Sequence, residues 1–142
     1  MSEQDFSRRL MIVVRKDLPG WQAANTVAHV SAYVGNKLGE SFGTGKYFHT
    51  SDTVEFPRNA QYPIIIKRAN SNEQLQNLHE KVRASGLVHI GFVREMIDYT
   101  NDTELQKALE RKTAAEVELL GVGVFGPNEE VNTLTKKFGL WE

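Results

Sequence analysis

The chain has 142 residues, 40% hydrophobic and 25% charged, a globular rather than a disordered composition, and it reads as one domain spanning 1–142. Without cysteine it excludes disulfides, thiolate chemistry and sulfur-ligated zinc. Its apolar runs stop at five or six residues, far short of the ~20 that span a bilayer, and the polar start Met1-Ser2-Glu3-Gln4-Asp5 is unlike a signal peptide, so a cytoplasmic protein with no membrane partner is expected. Net charge is −1, with 9 basic and 6 acidic residues in 1–70 against 8 and 12 in 71–142. That split is not the basic stripe of nonspecific nucleic-acid binding, and it leaves room for a tRNA contact only in the N-terminal half.

Leu10-Met11-Ile12-Val13-Val14 predicts a buried strand, ended by the turn Lys16-Asp17-Leu18-Pro19-Gly20. From Trp21 to Leu38, Ala23, Val27, Val30, Val34 and Leu38 recur at helical spacing. Residues 39–60 show no period and contain Gly39, Gly43, Gly45 and Pro57, so a lid, a hairpin or a mobile segment is expected, with 40–56 the most mobile stretch. Tyr62–Ile66 predicts a second strand. Ser71-Asn72-Glu73-Gln74 is a capping box that opens a helix with Leu75, Leu78 and Val82 inward, closed at Gly86. Leu87–Ile97 predicts a third strand, and Thr103 with Gln106 caps a short helix through Leu105 and Leu109. Val117–Phe125 predicts a glycine-broken fourth strand, followed by a helix from Pro127-Asn128 with Val131, Leu134 and Phe138 inward and Gly139 at its end. Strands apolar on both faces and alternating with helices predict an α/β fold, a three-layer sandwich.

Several motifs fail on context. Gly39-Glu40-Ser41-Phe42-Gly43 matches a nucleophile elbow, but it follows a helix where that chemistry needs a strand–turn–helix. Gly43-Thr44-Gly45-Lys46 lacks both the earlier glycine, which is Glu40, and the Ser or Thr after the lysine, which is Tyr47, so it is no phosphate loop. Gly121-Val122-Gly123-Val124-Phe125-Gly126 fits G-x-G-x-x-G but falls inside a predicted strand, where small residues instead let a helix approach closely. His49, Asp52 and Glu55 are strung along a loop, and no paired-histidine motif joins His29, His49, His79 and His89; no metal is expected. His79 reads as solvated and His89 as strand surface.

One constellation remains. Lys16 and Asp17 end the first strand, and Gln22, Asn25, Thr26 and His29 occupy the first turns of the next helix, with Tyr33 continuing the Gln22-Thr26-His29 stripe. In open α/β sheets ligands bind beyond the strand C-termini, facing helix N-termini. A small ligand with an anionic or carbonyl oxygen fits there. The alternative is a polar outer helix face with no ligand.

The run RLMIVVRKDLPGWQAANTVAHVSAY resembles the opening of peptidyl-tRNA hydrolase type II, where V-V-R-x-D-L precedes a helix of pattern G-K-x-A-A-Q-x-x-H-A. The C-terminal GVGVFGPNEEVNTLTKKFGLW resembles that family's closing segment, and the match is closer still to an uncharacterised bacterial branch, a domain of unknown function. The resemblance covers about residues 8 to 141. It implies a three-layer α/β sandwich with a four-stranded mixed sheet, often assembled as a homodimer. It also implies departures. The hydrolases' substrate-binding lysine falls on Gln22, or on Trp21 in the other register, and their D-A-G-R-T is replaced by Asp98-Tyr99-Thr100-Asn101-Asp102-Thr103. Losing one such charged group typically costs about 10²–10³ in rate.

The resulting expectation is a peptidyl-tRNA hydrolase type II-like protein without efficient hydrolase chemistry or a cofactor, binding a small ligand or partner through Lys16, Asp17, Gln22, Asn25 and Thr26. One alternative is an active hydrolase of an aminoacyl or peptidyl ester using His29 or Asp98. Another is a dimeric interaction module.

Overall fold

The computed structural model describes residues 4–43, 45–58 and 60–142. The first apolar run forms strand β1 (Arg8–Arg15), buried on both faces from Leu10 to Val14. Pro19, with its fixed φ, precedes helix α1 (Gly20–Leu38), whose buried residues are Ala23, Thr26, Val30 and Val34. Between α1 and the next long strand lie a 3₁₀ turn, Gly39–Ser41, and a hairpin of β2 (Tyr47–His49) and β3 (Glu55–Pro57) in which Phe48 pairs with Phe56 and His49 with Glu55. The hairpin is the form this aperiodic stretch takes, and every residue from 47 to 57 is exposed. Its turn is closed by the Thr50 amide on the Val54 carbonyl at 3.0 Å, with Thr53 at φ 74°. Thr44, expected in a glycine loop, lies outside the described residues.

Strand β4 (Ile64–Ala69) pairs in parallel with β1, Leu10 opposite Ile64 and Arg15 opposite Ala69. It starts after Pro63 and runs through Lys67 and Arg68, later than the apolar run predicts, because pairing with β1 satisfies the backbone whatever the side chains. Helix α2 (Asn72–Ser85) keeps half of the expected capping box, the Gln74 amide donating to Ser71 Oγ at 3.2 Å, while the Gln74 carboxamide oxygen accepts from the Asn70 amide at 2.8 Å instead of from Ser71; it ends at Gly86 with φ 74°. Strand β5 (Val88–Val93) is shorter than predicted, since the chain turns at Arg94 into helix α3 (Glu95–Asp98). Helix α4 (Asp102–Glu110) is capped by Asn101 rather than Thr103: the Asn101 carboxamide oxygen accepts from the amides of Thr103 at 2.8 Å and Glu104 at 3.2 Å. Both residue types cap well, and the earlier one starts the helix. Strand β6 (Leu119–Pro127), buried from Leu119 to Phe125, leads into helix α5 (Asn128–Thr135).

The sheet has five strands, not four, in the order β5-β6-β1-β4-β7. The added edge strand is β7 (Gly139–Leu140), which pairs antiparallel with β4 where the sequence reads only a helix end. Two residues are too few to show a strand period. β6 runs antiparallel to both β1 and β5, so the sheet is mixed, and the C-terminal ends of β1, β4 and β5 share one edge.

Alternation along β1 divides the core. Leu10, Ile12 and Val14 pack with Val30, Val34, Phe92 and Phe125 beneath α1. Met11 and Val13 pack with Leu75, Leu78, Val82 and Val131 beneath α2 and α5. Helices therefore cover both faces of the sheet.

Two glycines of β6, Gly121 and Gly123, set how close α1 lies. A Cβ on Gly121 would stand 2.5 Å from the Thr26 methyl and one on Gly123 would collide with Val30 Cγ1, whereas one on Gly126 would meet Leu87, which is not on α1, at 3.0 Å. The first two glycines of the G-x-G-x-x-G run are a helix-packing device in a strand interior, as their position predicts.

Candidate functional site

At the shared strand edge, charges are tightly paired. Arg15 donates to Asp17 at 3.0 and 2.8 Å and to Glu118 Oε2 at 2.7 Å. Arg94, on the turn after β5, reaches the same Glu118 oxygen at 3.0 and 3.3 Å and gives its other Nη to the Gln22 carboxamide oxygen at 2.7 Å. The hydrogen bond from Arg94, with a second from Arg15, holds the Glu118 carboxyl below the ordinary carboxylate range despite partial burial. Arg15 does the same to Asp17, and Asp17 in turn raises Arg15. Two guanidiniums and two carboxylates cancel, so the network braces the β1, β5 and β6 ends and presents Gln22 as a neutral group bound to a cation. Beside it, Glu95 is buried, with its Oε2 2.5 Å from Lys112 Nζ and its Oε1 without a hydrogen-bond partner among the described residues.

Further along α1 the helix and the β5 edge leave an open groove of about 480 Å³. His29, Ala32, Tyr33, Asn36 and Lys37 form its helix wall, and Ile90, Phe92 and Met96 form its floor and far side. The wall follows from spacing: positions 29, 32, 33, 36 and 37 lie on one helix face. The floor follows from strand alternation, which turns Val88, Ile90 and Phe92 toward α1. The His29 ring stacks on Phe92, with centroids 5.0 Å apart and planes 18° from parallel. Tyr33 and Met96 remain about 40% exposed, so the rim of the groove keeps apolar surface open to solvent.

The expected site residues separate into groups. His29 lines the groove, and Asn25 stands one turn before it. Gln22 faces the ion network. Thr26 is fully buried, its hydroxyl donating to the Gln22 carbonyl at 2.8 Å and its methyl filling the space over Gly121, so it packs the helix onto the sheet instead of meeting a ligand. Lys16 and Asp17 are exposed at the end of β1, with Asp17 committed to Arg15. Asp98 is exposed at the end of α3, and among the described residues no hydrogen bond or ion pair joins it to His29. Sequence reasoning missed Arg94, Glu118, Asn36, Lys37, Phe92 and Met96. Extending the Gln22-to-Tyr33 stripe by one turn would have found Asn36 and Lys37, whereas the Arg94–Glu118 pair brings together residues 24 apart, one just after β5 and one just before β6, and leaves no local signal.

Among the described residues, no helix is long and apolar enough to cross a membrane, and no group of three or more His, Asp or Glu side chains could hold a metal ion. No curated protein matches the chain. A solved structure of a protein of unknown function, Atu0240 from Agrobacterium tumefaciens strain C58, is similar at a TM-score of 0.84 and 17% identity, covering 97% of this chain and 100% of that one. A match at that identity shows a shared fold. A family model described as protein of unknown function (DUF2000) matches residues 8–142, and the chain belongs to that family.

Proposed function

We propose that the chain is a divergent peptidyl-tRNA hydrolase type II-like domain of the cytoplasm that binds a small planar, anionic ligand in the α1–β5 groove without efficient ester hydrolysis. The observation that carries this reading is the state of His29. Its ring lies flat on Phe92 beside an open groove, and no carboxylate or hydroxyl among the described residues orients it. A general base needs a positioned ring and a partner that fixes its tautomer. A stacked imidazole continued by Tyr33 and Met96 instead offers a platform for a flat ring. Asn36 supplies a donor and an acceptor on the helix wall, and the Lys37 ammonium, with no ion pair among the described residues, supplies charge at the far end.

The opposing reading, ester hydrolysis assisted by His29 or Asp98, has one observation in its favour: Arg94 brings a guanidinium to Gln22, where the resemblance lacks a lysine. That guanidinium is already neutralised by Glu118, which weakens it as an oxyanion partner. Hydrolysis of a peptidyl-tRNA ester separates the two. A rate at least about a hundredfold below that of a type II hydrolase, unchanged by His29→Ala, is expected. Comparable turnover abolished by His29→Ala or Arg94→Gln would establish the enzyme.

A further inference from the structure

On the other face of the sheet a second cleft, of about 380 Å³, lies between α2 and the segment 114–119, with Gln76, His79, Glu80, Arg83 and Ala115 among its walls. The cleft is built rather than incidental. The Gln76 carboxamide donates to the carbonyls of Ala115 at 2.6 Å and Val117 at 2.9 Å, while Asn72 accepts from the Leu119 amide at 2.7 Å. These bonds fix the segment against α2. His79 does not stand in solvent, as the sequence leads one to expect. It is half-buried over Gly91, where a Cβ would come within 2.9 Å of its Nε2 and 3.1 Å of Leu119, so only glycine leaves room for the ring.

The His79 and His89 rings lie with centroids 6.1 Å apart and planes 65° from parallel, yet neither nitrogen of His79 has a hydrogen-bond partner among the described residues. Burial, assisted by Arg83 and His89, holds it below the usual imidazole range, so at neutral pH it is an uncharged ring with one N–H to donate. Arg83, one turn along the same helix face, has no carboxylate partner among the described residues. A half-buried donor without an acceptor and an unpaired guanidinium thus share one wall.

We propose that this cleft binds a small oxyanion, a phosphate or carboxylate group, held by the Arg83 guanidinium and the His79 ring N–H. The guanidinium offers a planar fork that matches either group, and an imidazole N–H fixes one further oxygen. The competing carboxylates are few. Glu80 is the acidic residue of the cleft wall, and Glu116 on the neighbouring segment is taken up by Thr113 at 2.8 and 3.0 Å. The charged and titratable groups facing His79 are Arg83 and Glu80 from α2 and His89 from β5. A bound anion adds negative charge to that set, favours the protonated ring and strengthens binding as pH falls toward the lowered range in which His79 takes up its proton.

The test is an NMR titration of the full chain with inorganic phosphate and, separately, acetate, following the ring resonances of all four histidines. Saturable shifts at His79, with its titration midpoint moved upward by the anion, and no saturable shift at exposed His49 on the hairpin are expected. Arg83→Gln should weaken binding by about ten- to a hundredfold, the loss of one charge-assisted contact, with an unchanged melting temperature because Arg83 is exposed. Saturation by both anions assigns a general oxyanion site, and saturation by one alone assigns that group. No saturable shift at His79 with either anion, or equal affinity in Arg83→Gln, overturns the proposal.

Discussion

Substituting Gly121 by alanine tests the seating of α1, on which the groove depends. The new Cβ would lie 2.5 Å from the Thr26 methyl and 3.2 Å from the Val13 carbonyl oxygen, against at least 3.4 Å in ordinary contact. Thr26 is fully buried and cannot rotate its methyl away without breaking the 2.8 Å bond from its hydroxyl to the Gln22 carbonyl. The helix must therefore lift by nearly an ångström, an overpacking that typically costs about 1–3 kcal/mol. Unfolding entropy scales with length, so each kcal/mol lowers the melting temperature of a chain this size by about 3 °C, and Gly121→Ala should lose roughly 3–9 °C. Thr26→Ser removes the clashing methyl and keeps the hydroxyl bond. Alone it costs about 1 kcal/mol for one buried methyl group. In the double variant the two changes fill each other's space, and the measured loss should fall short of the separate losses combined by at least about 1 kcal/mol. Thermal melts of the four proteins decide the matter. Additive losses would refute the contact, and with it the reading of Thr26 as a packing residue.

Three further outcomes follow from the same contacts. Glu118→Gln frees Arg15 and Arg94; the pair is partly exposed, so the loss at neutral pH should be at most about 1 kcal/mol. Since the folded Glu118 is held below its ordinary value of 4.5, its contribution is complete above that pH and disappears as pH falls through the lower folded value, so the variant and the parent should converge in acid melts. Lys112→Met strands the buried Glu95 carboxylate, and melting should show it less stable than the double variant Glu95→Gln, Lys112→Met. Amide exchange should be fastest across the wholly exposed hairpin residues 47–57, and slow exchange there in a monomer would show that the hairpin is covered.

The parts of the fold that could be read in advance are those with a local period. The Leu10–Val14 run, the α1 stripe and the Ser71 cap became β1, α1 and α2 because burial and capping act on neighbours in the chain. What escaped was decided by distant partners. β7 exists because β4 offers an open edge, and Arg94 has its role because Glu118 stands across the sheet end. The candidate site divides the same way. His29 was evident from the polar stripe, but the same stripe carried Thr26, whose burial depends on the absence of a side chain at Gly121. A one-dimensional pattern marks a helix face without saying how deeply each position on that face is sunk.

The most direct test of the groove is an NMR titration of the protein and its His29→Ala variant with benzoate, a flat ring bearing one negative charge. Saturable shifts are expected, confined to the groove residues Tyr33, Asn36, Lys37, Ile90, Phe92 and Met96, weakened about tenfold or more in His29→Ala and also in Lys37→Met, with melting temperatures little changed. Benzoate shifts that do not saturate, that map away from these residues, or that persist unchanged without the His29 ring would contradict the proposed site.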